Sequence, residues 1–282
     1  MADFSHFLLV SDYDHTLTDH TGHIPQANLD AIRYFIANGG VFTICTGRSL
    51  PASKFRFQDI PMNAPLLFCN GAACCDLEKD ELIFCHPLPE EANALAQWCE
   101  AAFPDLRLEI HGLDKHYVFH NDPHRDASLK RQHTPFVCAS SFDEIPRPWV
   151  KFSLYSRNGD VSTIDPASER GAYFARITED ISKKAGKGFV VTLSMPGLIE
   201  VQVAGTSKGL ASRALAKKLN RPVLVCAGDA PNDIPMLEEA DLPFLASDGD
   251  SRMLSYPYRK TVPSNEGVIA DVVKTLETIT VP

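Results

Sequence analysis

The segment FLLVSDYDHT, residues 7–16, decides how the rest of the chain is interpreted. It opens with the short apolar run FLLVS (7–11), which is typical of a buried strand, and leads directly into Asp12-Tyr13-Asp14. Two carboxylates at i and i+2 on an extended chain point the same way, so they repel each other unless a cation or a shared proton holds them. The segment therefore predicts a buried strand that ends in a charged site.

Working outward, the same pattern of a buried strand followed by a helix recurs at both ends of the chain. Strands are predicted over 41–45, 66–69, 223–227 and 242–246, and helices over 25–38, 207–219, 233–240 and 267–278. Strands that alternate with helices at this spacing require right-handed crossovers and form a parallel sheet. The fold class predicted for these segments is α/β, with a Rossmann-like parallel sheet.

Polar residues follow three of these predicted strands, as Asp12 and Asp14 follow the first strand. They are Thr46, Gly47 and Arg48 after 41–45; Asn70 and Gly71 after 66–69; and Asp229, Asn232 and Asp233 after 223–227; in addition, Lys208 opens the helix 207–219. Ligands of open α/β sheets bind outside the carboxyl ends of the strands, so we expect one site there.

Taken singly, each motif has an ordinary structural explanation. Asp12 and Asp14 could form a turn, Thr46 could cap the next helix, and Lys208 could be a solvated lysine. A cation is disfavoured at a helix N-terminus unless an anion is close, however, and four helix caps need not share one sheet edge. The full set therefore favours a functional site.

The middle of the chain has a different pattern. A helix is predicted from about residue 90, followed by strands at 106–110, 116–120 and 150–156, a long helix, and the strand pair 189–194 and 197–203. Paired strands with helical returns predict an α+β domain with an antiparallel sheet. We interpret 86–195 as an inserted second domain between the core segments 1–85 and 196–282.

Composition limits the possible functions. The chain has 282 residues, with 27 Lys and Arg against 36 Asp and Glu, a formal net charge of −9, which disfavours nucleic-acid binding. No apolar run reaches the ~18 residues of a membrane span, and the N-terminus lacks a signal-peptide pattern, so we expect a cytoplasmic protein. The eight cysteines lack zinc-ligand spacing and are expected to be free thiols.

The residue types at the strand ends suit phosphoryl transfer. A carboxylate can attack phosphorus, and carboxylates from separate segments can hold Mg²⁺. A fixed cation and a hydroxyl can stabilise charge on the equatorial oxygens, while a second carboxyl group serves as acid and then as base.

These motifs resemble those of the haloacid dehalogenase superfamily, type IIB, close to the Cof-like sugar-phosphate phosphatases. The matching segments are DYDHT (12–16), ICTGR (44–48), TSKG (206–209) and GDAPND (228–233), together with LLFCNGA (66–72) and SNEGV (264–268). The resemblance covers nearly the whole predicted core. The insert matches by position and by its order of helices and strands, as a cap domain of type C2B.

The resemblance implies a role for each matching residue. Asp12 is the nucleophile, Asp14 is the general acid/base, and Thr46, Gly47, Lys208 and Asn232 belong to the phosphate site. Mg²⁺ is implied as the cofactor, with Asp12, Asp14, Asp229 and Asp233 at the metal and Arg48, Asn70 and Gly71 near the substrate pocket.

The resemblance also has limits. Most relatives carry glycine where this chain has His15, which we expect to be a packed and solvated residue of the turn rather than a catalytic one. No residue of the insert is assigned to substrate binding, and its basic residues between 111 and 133 alternate with acidic ones, as on a solvated surface.

The function expected is a magnesium-dependent phosphatase of small phosphorylated metabolites, with sugar phosphates as the favoured class, acting through an aspartyl-phosphate as a monomer or small homo-oligomer. The alternative is a phosphosugar mutase of the phosphomannomutase type, which shares these motifs. A phospho-accepting signalling domain and a non-catalytic binding protein are less favoured, because the former lacks GDxxND and the latter usually loses a motif residue.

Overall fold

The structure is a computed structural model that describes residues 2–119, 122–157 and 164–279. The strands in the described residues are β1 (Phe7–Ser11), β2 (Val41–Ile44), β3 (Leu66–Phe68), β4 (Ala73–Asp76), β5 (Glu81–Cys85), β6 (Leu106–His111), β7 (His116–Val118), β8 (Phe136–Cys138), β9 (Lys151–Ser156), β10 (Phe189–Met195), β11 (Leu198–Val203), β12 (Val223–Gly228), β13 (Leu242–Leu245) and β14 (Arg259–Lys260). The α-helices are α1 (Gln26–Ala37), α2 (Leu50–Phe57), α3 (Ala92–Ala102), α4 (Pro123–Arg131), α5 (Glu169–Ala185), α6 (Lys208–Lys218), α7 (Ile234–Glu239) and α8 (Val268–Leu276).

The described residues form two compact units. The first contains the two ends of the chain and Gln58–Phe84, and the second contains Cys85–Thr206 together with Arg48–Phe57. The second unit therefore extends beyond residue 195, because β10 and β11 both pair within its sheet.

A five-stranded parallel sheet forms the centre of the first unit, in the order β14-β13-β12-β1-β2. Leu8 and Val10 of β1 pack with Leu215 of α6 and with Met236 and Leu237 of α7. The helices α1 and α8 contact each other. The predicted α/β fold with a parallel sheet is confirmed, and β1 lies between β12 and β2.

The predicted third strand pairs differently from expectation. The strand β3 belongs to a separate sheet with β4 and β5, in which it pairs antiparallel with β4. It joins the parallel sheet through a parallel bridge between Cys45 and Leu67 and through the N–H of Thr46, which donates to the carbonyl of Leu67 (3.0 Å). The segment after it turns back at once, because Cys69, Asn70 and Gly71 all have positive φ.

A six-stranded sheet forms the second unit, in the order β10-β11-β9-β6-β7-β8. All of its pairs are antiparallel except β7 with β8. One face is apolar: Leu108, Phe152 and Ile199 pack with Phe174 and Ile177 of α5. The predicted strand 116–120 is found as β7, and His120 lies outside the described residues.

The cysteines of the described residues are free, as predicted, and most are buried. Burial raises the pKa of the Cys45 and Cys74 thiols to about 12, so both stay protonated.

Candidate active site

The ends of β1 and β12 bring the first two acidic segments together. These strands are parallel neighbours with Ser11 opposite Ala227, and the backbone N–H of Asp12 donates to the carbonyl of Ala227 (2.9 Å). Asp12 and Asp229 each follow directly on these strands, and both are buried. The sheet register therefore places two carboxylates at one edge.

Lys208 reaches this edge from the start of α6. The Ser207 hydroxyl caps the helix by accepting from the N–H of Leu210 (3.1 Å). The Lys208 Nζ atom is buried and donates to Asp12 Oδ1 and to Asp233 Oδ1, each at 2.6 Å. A lysine at a helix N-terminus opposes the helix dipole, and the two carboxylates offset this cost.

Asp233 shapes the loop that carries Asp229. Its Oδ2 atom accepts from the N–H groups of Asp229 (3.0 Å) and Ala230 (3.1 Å), while its Oδ1 atom accepts from Lys208. A Cβ at Gly228 would lie 2.6 Å from the Cβ of Asp233, so this close approach requires glycine. The loop conformation and the position of the Lys208 ammonium thus depend on one carboxylate.

The site has the donors that a divalent cation needs. One carboxylate oxygen from each of Asp12, Asp229 and Asp233 lies within 4.8 Å of the others. Thr16 donates its hydroxyl to Asp229 Oδ1 (2.7 Å), which orients that carboxylate. Hard cations such as Mg²⁺ take oxygen ligands of this type, and three buried carboxylates beside one lysine leave an excess of negative charge.

The pKa values report this excess. Burial raises the pKa of Asp12 to about 7, with further contributions from the charges of Asp233 and Asp14 that the nearby Lys208 opposes. Burial and the charges of Asp233 and Asp12 raise the pKa of Asp229 well above its ordinary value. Burial lowers the pKa of Lys208, but Asp12 and Asp233 outweigh it and hold the pKa well above the usual value.

Asp14 lies in the irregular turn Tyr13–Leu17, two residues after Asp12, and is half-buried. Its charge acts on the pKa of Asp12, so the two carboxyl groups are near each other. His15 follows it with φ 62°, in the left-handed region, and its ring lies 4.6 Å from that of His20.

Thr46 and Asn70 are linked through their backbones. The N–H of Asn70 donates to the carbonyl of Thr46 (2.9 Å), and both side chains are buried. A Cβ at Gly71 would lie 2.4 Å from the carbonyl oxygen of Ser207, so Gly71 permits α6 to begin close to this turn.

The other predicted site residues are placed less centrally. Gly47 ends a segment of the first unit, and Asn232 is half-buried in the turn Pro231–Asp233. Arg48 belongs to the second unit, where its guanidinium donates to Gln132 Oε1 (3.2 Å).

The sequence analysis assigned no role to Thr16, although it is the last residue of the matching segment DYDHT (12–16). The spacing was the available signal: a hydroxyl four residues after Asp12 returns to the same edge once the turn after β1 is formed.

The comparisons with known proteins agree with this geometry. Residues 9–273 match the family described as haloacid dehalogenase-like hydrolase. The HMP-PP phosphatase of Yersinia enterocolitica is 26% identical over 234 residues, which cover 82% of this chain and 80% of that protein. The structure of SMU.1108c from Streptococcus mutans UA159 has a TM-score of 0.80 at 19% identity, covering 95% of this chain and 97% of that one. The structure of the HAD subclass IIB sugar phosphatase BT4131 has a TM-score of 0.75 at 21% identity, covering 96% of this chain and 99% of that one.

The chain belongs to the haloacid dehalogenase-like hydrolase family. The predicted family, and with it the class of a haloacid dehalogenase phosphatase, is confirmed. No helix within the described ranges is long and apolar enough to cross a membrane.

Proposed function

We propose that this chain is a magnesium-dependent phosphatase that hydrolyses small phosphorylated metabolites, with sugar phosphates as the favoured class, through an aspartyl-phosphate on Asp12. The observation that carries the proposal is the convergence of Asp12, Lys208, Asp229 and Asp233 in one buried cluster. The names of the similar phosphatases support the same reaction class.

In the first half of the reaction, a carboxylate oxygen of Asp12 attacks phosphorus as the bond to the ester oxygen breaks. Lys208, whose ammonium lies 2.6 Å from Asp12 Oδ1, stabilises negative charge that develops on the phosphoryl oxygens. The Thr46 side chain and the backbone amides after β1 are the proposed further donors to these oxygens.

Asp14 is the proposed acid and base. It gives a proton to the leaving alkoxide, which departs as an alcohol, and it then takes a proton from the water that attacks the phosphorus of phospho-Asp12 as the bond from phosphorus to the Asp12 oxygen breaks. Inorganic phosphate leaves, and both carboxyl groups return to their starting state. Its position two residues after Asp12 suits both steps.

Asp12 and Asp229 would hold the metal ion, with the backbone carbonyl of Asp14 as an additional oxygen ligand. Asp233 would support the metal mainly from behind these ligands, because its two oxygens accept from Lys208 and from the N–H groups of Asp229 and Ala230. When bound, Mg²⁺ supplies positive charge that offsets repulsion between the anionic nucleophile and the anionic ester. The raised pKa values of Asp12 and Asp229 support this assignment, because a cation favours the ionised carboxylates that burial disfavours.

The test is phosphate release from a panel of sugar phosphates and p-nitrophenyl phosphate, with Mg²⁺ and with chelator. We expect activity only with Mg²⁺, and a loss of about 10⁴-fold or more in Asp12→Asn, because the nucleophile is removed. The matched control is Asp30→Asn, which changes an exposed aspartate of α1 and should leave activity unchanged. Full activity in Asp12→Asn would refute the assignment.

The same panel separates the phosphatase from the mutase alternative. A phosphatase incorporates labelled oxygen from solvent water into the phosphate that it releases, because water resolves the phospho-Asp12 intermediate. A mutase returns the phosphoryl group to the sugar and isomerises the sugar phosphate without net phosphate release.

A further inference from the structure

The second unit contains a polar sheet face that the proposed function does not use. Arg107, Glu109 and His111 alternate along β6 with apolar residues, so they share one face. Lys151 of β9 is the cross-strand partner of His111, and His116 of β7 is its partner on the other side. All five side chains are buried.

The charged groups of this face are paired. Arg125 donates to both carboxylate oxygens of Glu109 (2.7 and 3.0 Å), and Arg107 lies 3.2 Å from the first of them. Arg107 also binds Asp126 (2.8 Å), and Lys151 pairs with Glu200.

His111 is different, because neither ring nitrogen has a hydrogen-bond partner in the described part of the chain. The residue is only 2% exposed, and its ring centroid lies 4.0 Å from that of His116. The Nδ1 atom of His116, by contrast, faces Glu109 Oε2 at 3.6 Å, and its Nε2 atom lies 2.6 Å from the Ser49 hydroxyl. A buried polar group without a partner is costly, so the two ring nitrogens of His111 point to a ligand.

A metal ion is the first ligand to consider. Ligand atoms of Glu109, His111 and His116 lie within 4.8 Å of one another, a spacing that suits two imidazoles and a carboxylate around a cation. Charge argues against it. Both Glu109 oxygens are already bound by guanidinium groups, and a divalent ion would lie beside Arg107, Arg125 and Lys151.

The titration of His111 supports the same conclusion. Burial lowers its pKa well below the usual value, and the charges of His116, Lys151 and Arg125 lower it further. The surroundings of this ring therefore repel an added positive charge.

We propose that His111, with His116 and Lys151 beside it, forms a binding site for an oxyanion, a carboxylate or phosphoryl group of a small ligand. A neutral imidazole donates one N–H to the anion, and Lys151, the cross-strand partner of His111, adds positive charge beside the Glu200 carboxylate with which it pairs. The Glu109 carboxylate also lies close to the two imidazoles, but Arg107 and Arg125 offset its charge.

The experiment is histidine ¹⁵N NMR of the full chain, titrated with sodium phosphate and with sodium acetate, and with sodium chloride as the ionic-strength control. The resonances of His111 are identified by their absence in His111→Leu. We expect them to shift saturably with either oxyanion and not with chloride.

Variants provide the controls. His111→Leu removes no hydrogen bond seen in the described residues, so it should fold, and it should lose the rise in melting temperature that sodium acetate gives the wild type; acetate is used for this readout because phosphate also binds the proposed active site. Ser153→Ala removes another buried polar group without a partner, flanked by Glu109 and Glu200 on the neighbouring strands, and should keep the response. His124→Leu, on the exposed surface of α4, should keep it as well.

The proposal is overturned if the His111 resonances show no saturable change up to the solubility of the salts. It is also overturned if ZnCl₂ shifts them at lower concentration than either oxyanion, since the site would then be a metal centre. Equal rises in melting temperature with sodium acetate in His111→Leu and wild type would exclude it too.

Kinetics separate two sources of the oxyanion, and only this comparison rests on the proposed phosphatase function. If the oxyanion is part of the substrate, His111→Leu raises KM about tenfold for an ester with a second anionic group, the effect of one charge-assisted hydrogen bond, and leaves p-nitrophenyl phosphate hydrolysis unchanged. If it is a separate ligand, both KM values stay unchanged in His111→Leu while the rise in melting temperature with sodium acetate is lost.

Discussion

The two units carry clusters with similar geometry and opposite electrostatics. In each, three ionisable side chains bring ligand atoms within 4.8 Å of one another, and all are buried. The cluster of the first unit has three carboxylates around Lys208, whereas the cluster of the second unit has Glu109 held by Arg107 and Arg125.

The pKa values separate the two. Burial raises the pKa of Asp12 to about 7, and Lys208 does not compensate for it. Burial raises the pKa of Glu109 too, but the interactions with Arg125 and His116 outweigh burial and hold that pKa below its usual range. Three carboxylates beside one lysine need a further cation to balance their charge, while the charge of Glu109 is already balanced by arginines. Equal spacing of ligand atoms therefore does not imply the same ligand.

Replacing Lys208 is the strongest test of this comparison. Lys208→Met leaves Asp12 and Asp233 buried without their cation, so we expect a loss of about 3–5 kcal/mol in the free energy of unfolding without metal. Activity should fall about 10³-fold, because a donor to the transition state is lost. Chemical denaturation and phosphate release measure the two effects.

Magnesium sharpens that experiment. Because Mg²⁺ binds ionised carboxylates, it should restore part of the stability of Lys208→Met but not its activity. Lys217→Met changes an exposed lysine of the same helix and serves as the control. If both variants are equally stable, the carboxylates do not depend on Lys208, and the comparison fails.

A second test moves a carboxylate without changing any charge. In Gly228→Ala the new Cβ would lie 2.6 Å from that of Asp233, so the Asp233 side chain, which binds Lys208, must shift. We expect a loss of about 1–3 kcal/mol from overpacking, together with weaker activation by Mg²⁺. The control is Gly188→Ala, where a Cβ would meet nothing within 4 Å. Unchanged metal activation would show that the position of Asp233 is not critical.

The pH dependence should differ in sign between the units. Between the ordinary Asp pKa of 3.8 and about 7, folded Asp12 keeps a proton that the unfolded chain releases, so stability falls as the pH rises. The pKa values of His111 and His116 are lowered by burial, so the unfolded chain binds protons that the folded state does not, and stability falls as the pH drops below 6.5.

Hydrogen exchange resolves this contrast, after correction for intrinsic rates. Acidification from about pH 7 to about pH 5 should increase protection in β1 and β12 and decrease it in β6 and β7. Saturating Mg²⁺ should abolish the trend in the first unit, because the cation competes with the proton. The same direction in both units would contradict the assigned electrostatics.

The parallel sheet could be predicted because its information is local. Apolar runs such as FLLVS and VLVCA end in polar residues, and parallel strands bring those ends to one edge. The start of the helix predicted over 207–219 is equally local, because the Ser207 hydroxyl caps α6. The parallel sheet therefore brings together four residues whose motifs lie far apart in sequence: Asp12, Lys208, Asp229 and Asp233.

The polar face of the insert could not be assigned, because it depends on pairing between distant strands. The alternation of Arg107, Glu109 and His111 with leucine and isoleucine suggests a strand with one polar face, but such a face is usually solvated. Only the register of β6 with β7 and β9 shows that His111 meets His116 and Lys151. The hairpin of β3 with β4 was missed for a different, local reason: the turn between them is formed by Cys69, Asn70 and Gly71, all with positive φ, and the sequence placed Asn70 and Gly71 at the predicted site.

The smallest expected effect concerns His15, the histidine that lies between Asp14 and Thr16. Glycine at this position relieves the cost of a left-handed residue, about 1–2 kcal/mol, but adds about 0.5–1 kcal/mol of unfolded-chain entropy. It also removes the ring contact with His20. We therefore expect His15→Gly to change the free energy of unfolding by about 1 kcal/mol or less and kcat/KM by less than about tenfold.

His20→Ala is the matched control, since it removes the ring contact and keeps the imidazole of His15 in the turn. Similar small effects in both variants would mean that the first unit's chemistry depends on its carboxylates and Lys208, as the comparison requires. A loss of about a hundredfold or more in kcat/KM in His15→Gly, but not in His20→Ala, would contradict the comparison. A loss of that size is typical of general acid–base catalysis, so the imidazole of His15 would then act on the reacting groups.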